Sequence, residues 1–530
     1  MTRPNDCSWG AFSDEAPWLL SEDKLAWAND ATQIRINVRR EVPDLTTPRR
    51  IPPLGRLLYV VCVLGKAVVP WLVRKKFKRF ESAKESNAVI SLRLRKAVET
   101  LGPTYIKLGQ IISSGEGLFP GELVEEFKRC RDQVPAEPFE TVRLTIEQDM
   151  GCRLNDVFLH IDTTPLAAAS IAQVHAATLT TGESVVVKVQ RPNIGKLVRK
   201  DLRVMAWLAP FLIGRIKIAA LANPPALVEL FAETIVEELD FRMEAANMVD
   251  VSRMLHRLNQ TGYIVPRPHP SLVSRRILVM ERLYGFNFDD VDGMKAAGLD
   301  TEAIIRTGMI AFMEGAMIEG IFHGDLHGGN LFVLSDGRTA LLDFGIVGRL
   351  SPARRVAFLR MLLGATTNDV KSQVEALRDL GALPLDVDVA QVITDLRLDQ
   401  VAIDPTSLSG EDLVKEVQRI VKALLGYGAS MPKELMLYVK NMVFLDGAIS
   451  RLAPDLDILA EVANISMLFA ERHGEQIGRD LGINAQNIEL NLDSVKAGFG
   501  LDSSVNRLTY RELQQRRELI NKRMRDHVRK

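Results

Sequence analysis

The pattern of apolar and polar positions changes character several times along the chain. Up to about residue 50 it is polar, rich in proline and without a sustained period, which predicts a loosely ordered arm over 1–50. Leu57 to Val73 is then apolar, broken only by Lys66 and Pro70, and Arg74, Lys75, Lys76, Lys78 and Arg79 follow it. Such a stretch sits at the lower limit for crossing a bilayer, and its central lysine costs roughly 2.5–3.5 kcal/mol on insertion scales. Residues 51–80 therefore read as an amphipathic helix touching a membrane, with a buried helix as the alternative. Residues 81–150 read as a helical extension, with loop signals at Gly102-Pro103 and from Gly115 to Gly121.

After Val157 the period drops to two. Val157 to Ile161, Ile171 to Thr178 and Ser184 to Gln190 are strand-like, with Thr181-Gly182 as the hairpin turn between the last two. Pro224-Pro225 open one long helical pattern to about Leu258, and Arg276 to Met280 is a further strand. These elements predict a β-rich lobe over 151–283. Residues 284–475 read as a helical lobe interrupted from His323 to Leu350, and 476–530 as a tail ending in a basic helix. That order predicts an α+β fold of two lobes.

Composition narrows the picture little. Of 530 residues, 47% are hydrophobic and 25% charged, and Lys+Arg and Asp+Glu both total 67. Net charge is zero, so no global field favours nucleic acid. The four cysteines form no C-x-x-C pair, which argues against a zinc knuckle or a disulfide framework. Asp6, Asp14, Glu15, Glu22 and Asp23 make the first residues unlike a signal or transit peptide, and the chain is expected to stay in the cytoplasm.

The chemistry is concentrated in His323-Gly324-Asp325-Leu326-His327-Gly328-Gly329-Asn330 and Asp343-Phe344-Gly345. Phosphoryl transfer needs phosphates positioned, their charge neutralised by magnesium and a lysine, and an acceptor oriented by a carboxylate. Asp325 and Asn330 have the Asp-x-x-x-x-Asn spacing of a kinase catalytic loop, and Asp343 heads D-F-G behind the strand-like run Thr339 to Leu342. Asp325 is thus the expected acceptor-orienting residue, with Asn330 and Asp343 as Mg2+ ligands. Zinc at His323 and His327 is disfavoured, because the H-E-x-x-H glutamate is missing and glycines flank both. Lys188 lies in the apolar strand Val185 to Val189 and is expected to meet ATP phosphates. Glu244, on the helical pattern with Glu237, Glu238 and Asp240, is its expected partner. Where a glycine-rich phosphate loop would lie, the chain has Ala167-Ala168-Ala169-Ser170, which leaves little room for left-handed backbone. After Gly345 only a few residues intervene before Ser351-Pro352 opens a helix, so no peptide platform is expected.

Lys107-Leu108-Gly109-Gln110, the alanine-rich loop with Ser170-Ile171-Ala172-Gln173-Val174-His175, Glu238-Leu239-Asp240-Phe241 with Glu244-Ala245, and Met280-Glu281 together resemble the UbiB/AarF family of atypical kinase-like proteins. The resemblance covers about residues 85 to 450. It implies a protein-kinase-like fold whose helical extension, carrying Lys107 and Gln110, folds over the active site with Glu238 and Asp240 engaging it. It also implies ATP contacts at Ala167, Ala168, Ala169, Ser170, Lys188, Met280 and Glu281, with ATP and Mg2+ as cofactors and weak ATPase activity. Peripheral attachment to the inner face of the cell membrane and support of quinone or isoprenoid-lipid metabolism are further implications. A membrane or phenolic lipid and lipid- or quinone-biosynthesis enzymes are the expected partners, and oligomerisation stays open. The family's catalytic loop is closer to HADPHPGN; Gly324, Leu326 and Gly328 depart from it toward small-molecule phosphotransferases. The apolar C-terminal tail that anchors some bacterial members is missing, so attachment is expected to rest on Leu57 to Val73. A nucleotide-gated scaffold with negligible turnover and a conventional protein kinase are the alternative readings.

Overall fold

Strand alternation along Ser184–Gln190 decides which side chains meet the core and which are left for chemistry. Val185, Val187 and Val189 are buried on one face, against Ile277, Val279, Val142, Ile146 and Leu154. The same period of two turns Lys188 to the opposite face. The computed structural model that shows this describes residues 25–49, 51–77, 80, 82–113, 120–130, 135–212, 224–367, 369–398, 426–429, 432–483, 493, 495–496, 501–502 and 504–528.

The strands in chain order are β1 (Phe158–Ile161), β2 (Ala167–Ala168), β3 (Ala172–Leu179), β4 (Ser184–Gln190), β5 (Tyr263–Ile264), β6 (Pro268–Val273), β7 (Ile277–Glu281), β8 (Phe286–Asn287), β9 (Ile321–His323), β10 (Leu331–Val333), β11 (Thr339–Leu341) and β12 (Val347–Arg349). The chain divides into two units, and each has its own sheets.

The first unit comprises Met1–Arg253, Val265–Leu283 and Asp343–Ile346. Its sheet runs β1-β3-β4-β7-β6, with β2 pairing β3, and β4 is central, antiparallel to both β3 and β7. Its helices include α1 (Ala31–Thr46), α2 (Leu54–Lys76), α3 (Ala83–Leu101), α4 (Pro103–Ser113), α5 (Phe139–Met150), α6 (Ile194–Leu212), α7 (Pro224–Glu237) and, up to Arg253, α8 (Phe241–Arg257).

Two expectations are corrected here. The polar arm is a helix from Ala31 to Thr46, packed on α6 and α7 through Val38, Val42 and Leu45; residues 1–24 lie outside the described residues. Three apolar residues at helical spacing suffice to dock it, although the charged positions around them hide the period. The long helix after Pro224 is two helices, broken at Glu238-Leu239-Asp240. The break is held because the Phe241 N–H donates to Arg275 O at 3.0 Å while Asp240 Oδ1 accepts the Arg242 N–H at 3.2 Å. Asp240 thereby caps α8 and sets Glu244 in its first turn.

The second unit comprises Met254–Ile264, Tyr284–Leu342 and Val347–Lys530. It contains the sheet β5-β11-β10-β8 and the pair β9–β12, together with α9 (Thr301–Glu314), α10 (Pro352–Thr367), α11 (Lys433–Leu452) and α12 (Tyr510–Val528). Its centre is a ring cluster: Tyr438 of α11 stacks on Phe312 at 5.0 Å and meets Phe358 and Phe322 edge-on at 4.5 and 6.0 Å. Phe322 lies on β9, one residue before His323, so this packing holds the start of the catalytic loop against α11. Gly348 on β12 has to be glycine, since a Cβ there would lie 2.2 Å from the Phe322 ring. The residues after Gly345 thus form a strand and lead directly into α10 at Pro352. The basic C-terminal helix is docked rather than loose in its first turns: Tyr510 and Leu513 are buried, Tyr510 Oη donates to Asp446 O at 2.7 Å, and Arg517 pairs with Asp446 at 2.6 Å.

Candidate functional site

In the first unit the strand lysine meets two carboxylates. Lys188 Nζ lies 2.7 and 3.0 Å from the two Glu244 carboxylate oxygens and 3.4 Å from Asp343 Oδ1. Lys188 is 8% exposed and Glu244 is buried, whereas the Asp343 side chain is 48% exposed. Burial alone would lower the Lys188 pKa, but Asp343, Glu244 and Glu238 outweigh it and hold the ammonium above its ordinary value. Burial pushes Glu244 up to about 7, against the pull of Lys188, and the negative charges of Asp343 and Glu238 add to the push. The cluster therefore carries more acid than base, an excess that a cation would relieve.

Asp343 holds a left-handed backbone, φ 54°, a region where Asp is enriched among non-glycine residues. The turn is braced on three sides. Its Oδ1 accepts the Gly345 N–H at 3.1 Å, Asn247 Nδ2 donates to Phe344 O at 2.9 Å, and the Phe344 ring is buried. Asn247 lies three residues after Glu244, so one face of α8 holds both the lysine's partner and the D-F-G backbone.

Lys107 on α4 forms an ion pair with Glu238 at 3.0 Å, so the extension and the helix break meet within the first unit. Asp240 pairs with Arg242 at 2.8 Å as well as capping α8. Gln110 lies one turn beyond Lys107 on the same helix.

The alanine-rich segment is a tight hairpin, with Ala167 opposite Val174 and Ala168 opposite Gln173. The Ala169 N–H donates to Ala172 O at 2.8 Å, and Ala169 O accepts from Arg191 Nε at 3.0 Å. None of Ala167, Ala168, Ala169 or Ser170 takes a positive φ, and Ser170 is buried. Replacing Ala168 with Gly is expected to loosen this hairpin by roughly 0.5–1 kcal/mol, the usual difference in backbone freedom. Calorimetric titration should then show a changed ATP-to-ADP affinity ratio; identical affinities would count against the loop's role. Met280 and Glu281 end β7 with buried side chains. Glu281 accepts the Arg267 N–H at 3.2 Å, and its own N–H donates to Arg267 O at 2.9 Å, so both residues serve the sheet.

In the second unit the catalytic-loop backbone is closely held. His323 Nδ1 accepts the Asp325 N–H at 3.1 Å while its Nε2 faces Leu342 O at 3.1 Å, which fixes a neutral ring with the proton on Nε2. Asn330 Nδ2 donates to Asp325 O at 3.0 Å, and His327 Nδ1 accepts the Gly329 N–H at 3.1 Å. Both histidines shape the loop through its backbone.

Two residues here had no motif to announce them. Asn441, wholly buried on α11, donates to His323 O and accepts the Leu326 N–H at 3.0 Å, spanning Asp325 from both sides. Its neighbour Lys440 forms an ion pair with the Asp325 carboxylate itself. Among the described residues no group of three His, Cys, Asp or Glu side chains could hold a metal ion. The half-exposed Asp343 carboxylate suits an ion that keeps water and phosphate oxygens in its shell, as Mg2+ does.

Comparison with known proteins agrees with these motifs. Residues 129–377 match the model of the ABC1 atypical kinase-like domain. An uncharacterized chloroplastic aarF domain-containing protein kinase of Arabidopsis thaliana is 35% identical over 398 residues, 70% of this chain and 73% of that protein. An uncharacterized protein of Mycobacterium tuberculosis is 33% identical over 425 residues, 78% and 86% of the two chains. A probable protein kinase UbiB of Pseudomonas paraeruginosa is 30% identical over 436 residues, 80% and 78% of the two chains.

Proposed function

Because the chain belongs to the UbiB/AarF family of ABC1 atypical kinase-like proteins, with their α+β kinase-like fold, we propose that it binds Mg-ATP and either hydrolyses it or passes the terminal phosphoryl group to a small hydroxylated molecule. The observation that carries this reading is Lys188, a buried ammonium held in place by Glu244 beside the half-exposed carboxylate of Asp343.

Mechanism follows from what each group can do where it stands. Glu244 fixes the direction of the Lys188 ammonium, which would neutralise phosphate oxygens. Asp343 would hold Mg2+, whose contribution is to draw charge off the transferred group. Asp325 would orient the attacking hydroxyl or water. The short strand β12, in place of an extended activation segment, leaves a peptide without a platform, which favours a small acceptor.

We place the protein on the inner face of the cell membrane, in support of quinone or isoprenoid-lipid metabolism. The basis for the membrane is α2, a 23-residue helix with an 18-residue window of mean hydropathy 1.8, 17% of which is buried. Leu54, Leu58, Val61, Val69, Leu72 and Val73 are exposed on it, and Arg74, Lys75 and Lys76 close it. Its other side packs on α3, where Arg93 Nε donates to Ala67 O at 2.7 Å and Trp71 Nε1 donates to Ser86 O at 3.1 Å. An exposed Lys66 at mid-helix suits a helix lying in the interface better than one crossing it.

The test is Mg-ATP turnover by the purified chain with and without anionic vesicles carrying a phenolic lipid. Stimulation is expected. Nucleotide binding with no turnover under any of these conditions would leave a nucleotide-gated scaffold instead.

A further inference from the structure

We infer that Lys440 is a positioning residue for Asp325, supplied by α11 to a catalytic loop that contains no lysine or arginine of its own. The inference rests on the reading of Asp325 as the acceptor-orienting carboxylate, and deepens it by naming what holds that carboxylate still.

Both backbone groups of Asp325 already have a fixed partner. Its N–H donates to His323 Nδ1, its carbonyl accepts from Asn330 Nδ2, and Asn441 grips His323 O and the Leu326 N–H on either side. Those bonds place the Cα; the carboxylate has its own two side-chain torsions, and the Lys440 contact restrains them. Its Nζ contacts Asp325 Oδ1, and the two side chains are 24% and 18% exposed, dry enough for the charges to matter and open enough for an acceptor to approach. The ammonium also offsets a negative charge that would otherwise repel incoming phosphates.

Adjacent residues of α11 divide the work. Asn441 is wholly buried and bonds only backbone, so it is part of the loop's architecture. Lys440 is a half-buried residue whose contact is with the Asp325 carboxylate, next to Val439, which faces solvent. Removing Asn441 should therefore undermine folding. Removing Lys440 should leave the fold and affect turnover.

The experiment is steady-state Mg-ATP turnover and Mg-nucleotide affinity for the full chain and for Lys440→Met, Lys440→Arg, Asp325→Asn and the Lys440→Met/Asp325→Asn double variant. Lys440→Met is expected to lower kcat at least tenfold, with KM for ATP and nucleotide affinity within twofold of wild type. Lys440→Arg should recover at least threefold of that loss, and the double variant should be no slower than Asp325→Asn alone. A Lys440→Met kcat within twofold of wild type would overturn the inference. So would a further tenfold loss in the double variant, because two independent defects multiply. If the wild-type chain binds Mg-nucleotide but does not turn it over, the proposed function fails separately, and the melting temperatures of wild type, Lys440→Met, Asp325→Asn and the double variant decide. Non-additive shifts uphold the positioning contact, and additive shifts overturn it.

Discussion

Asp343→Asn is expected to abolish Mg-nucleotide binding while leaving the fold in place. Asparagine tolerates the left-handed backbone that Asp343 adopts, and its amide oxygen can still accept the Gly345 N–H, so the turn survives the exchange. What is lost is a negative charge on a side chain that is 48% exposed, the one carboxylate beside Lys188 that stands open to solvent and a metal ion. Wild-type protein at a hundredfold excess of ligand over Kd should gain about 2.7 kcal/mol of stability. The variant should gain none, and chelating the magnesium should bring wild type to the same level. Thermal melts with and without Mg-ATP make the comparison, and an unchanged stabilisation in the variant would refute the assignment of Asp343.

Lys188→Met should be the next most damaging change, through two separable effects. Removing the ammonium takes away the charge that meets phosphate, with an expected loss of roughly 10²–10³ in turnover, the scale for deleting one preorganised electrostatic donor. The second effect is on stability and depends on pH. In the wild type burial already pushes Glu244 up to about 7, while Lys188 holds it down. Without Lys188 that carboxyl must rise further. Between the unfolded value near 4.5 and this raised native value, the native state holds a proton that the unfolded chain has lost. Native stability therefore falls as pH rises through the window, and the window is wider in the variant. Its stability deficit against wild type should be small at pH 6 and grow above pH 7, by up to about 1.4 kcal/mol per pH unit. Paired urea denaturations at pH 6 and pH 8.5 measure it. An equal deficit at both values would mean that Lys188 and Glu244 do not share one charge balance.

The chemistry of the first unit was largely legible because it is written in local pattern. A lysine among alternating valines has to point away from the core, and that is where Lys188 stands, bonded to the Glu244 chosen for it. Other features depended on tertiary facts that no period records. The break at Glu238-Leu239-Asp240 is invisible in a run whose Leu239 continues the apolar spacing; it exists because Arg275 O captures the Phe241 N–H. With that break in place Asp240 turns to Arg242, and Glu238 meets Lys107. The helix Ala31–Thr46 escaped notice because Val38, Val42 and Leu45 are diluted by charged neighbours and by Pro43. Lys440 and Asn441 lie 115 residues beyond the Asp325 and Leu326 they serve. The ring cluster that seats Tyr438 on Phe322 helps bring α11 to the loop, and such packing leaves no signature at a fixed spacing.

The alanine hairpin and the strand after D-F-G bear on the same question from opposite sides. One replaces the flexible glycine cradle of a protein kinase with paired, positive-φ-free backbone, and the other occupies the length where an activation segment would run. Both favour the proposed reading of a nucleotide site without a docked peptide. The direct measurement is the fate of the γ-phosphate when the purified chain is incubated with labelled ATP, magnesium, phenolic-lipid vesicles and a peptide library together. Label is predicted in inorganic phosphate or in the lipid extract, and absent from both when Asp343→Asn is used. Label accumulating on peptides at ordinary kinase rates would contradict it.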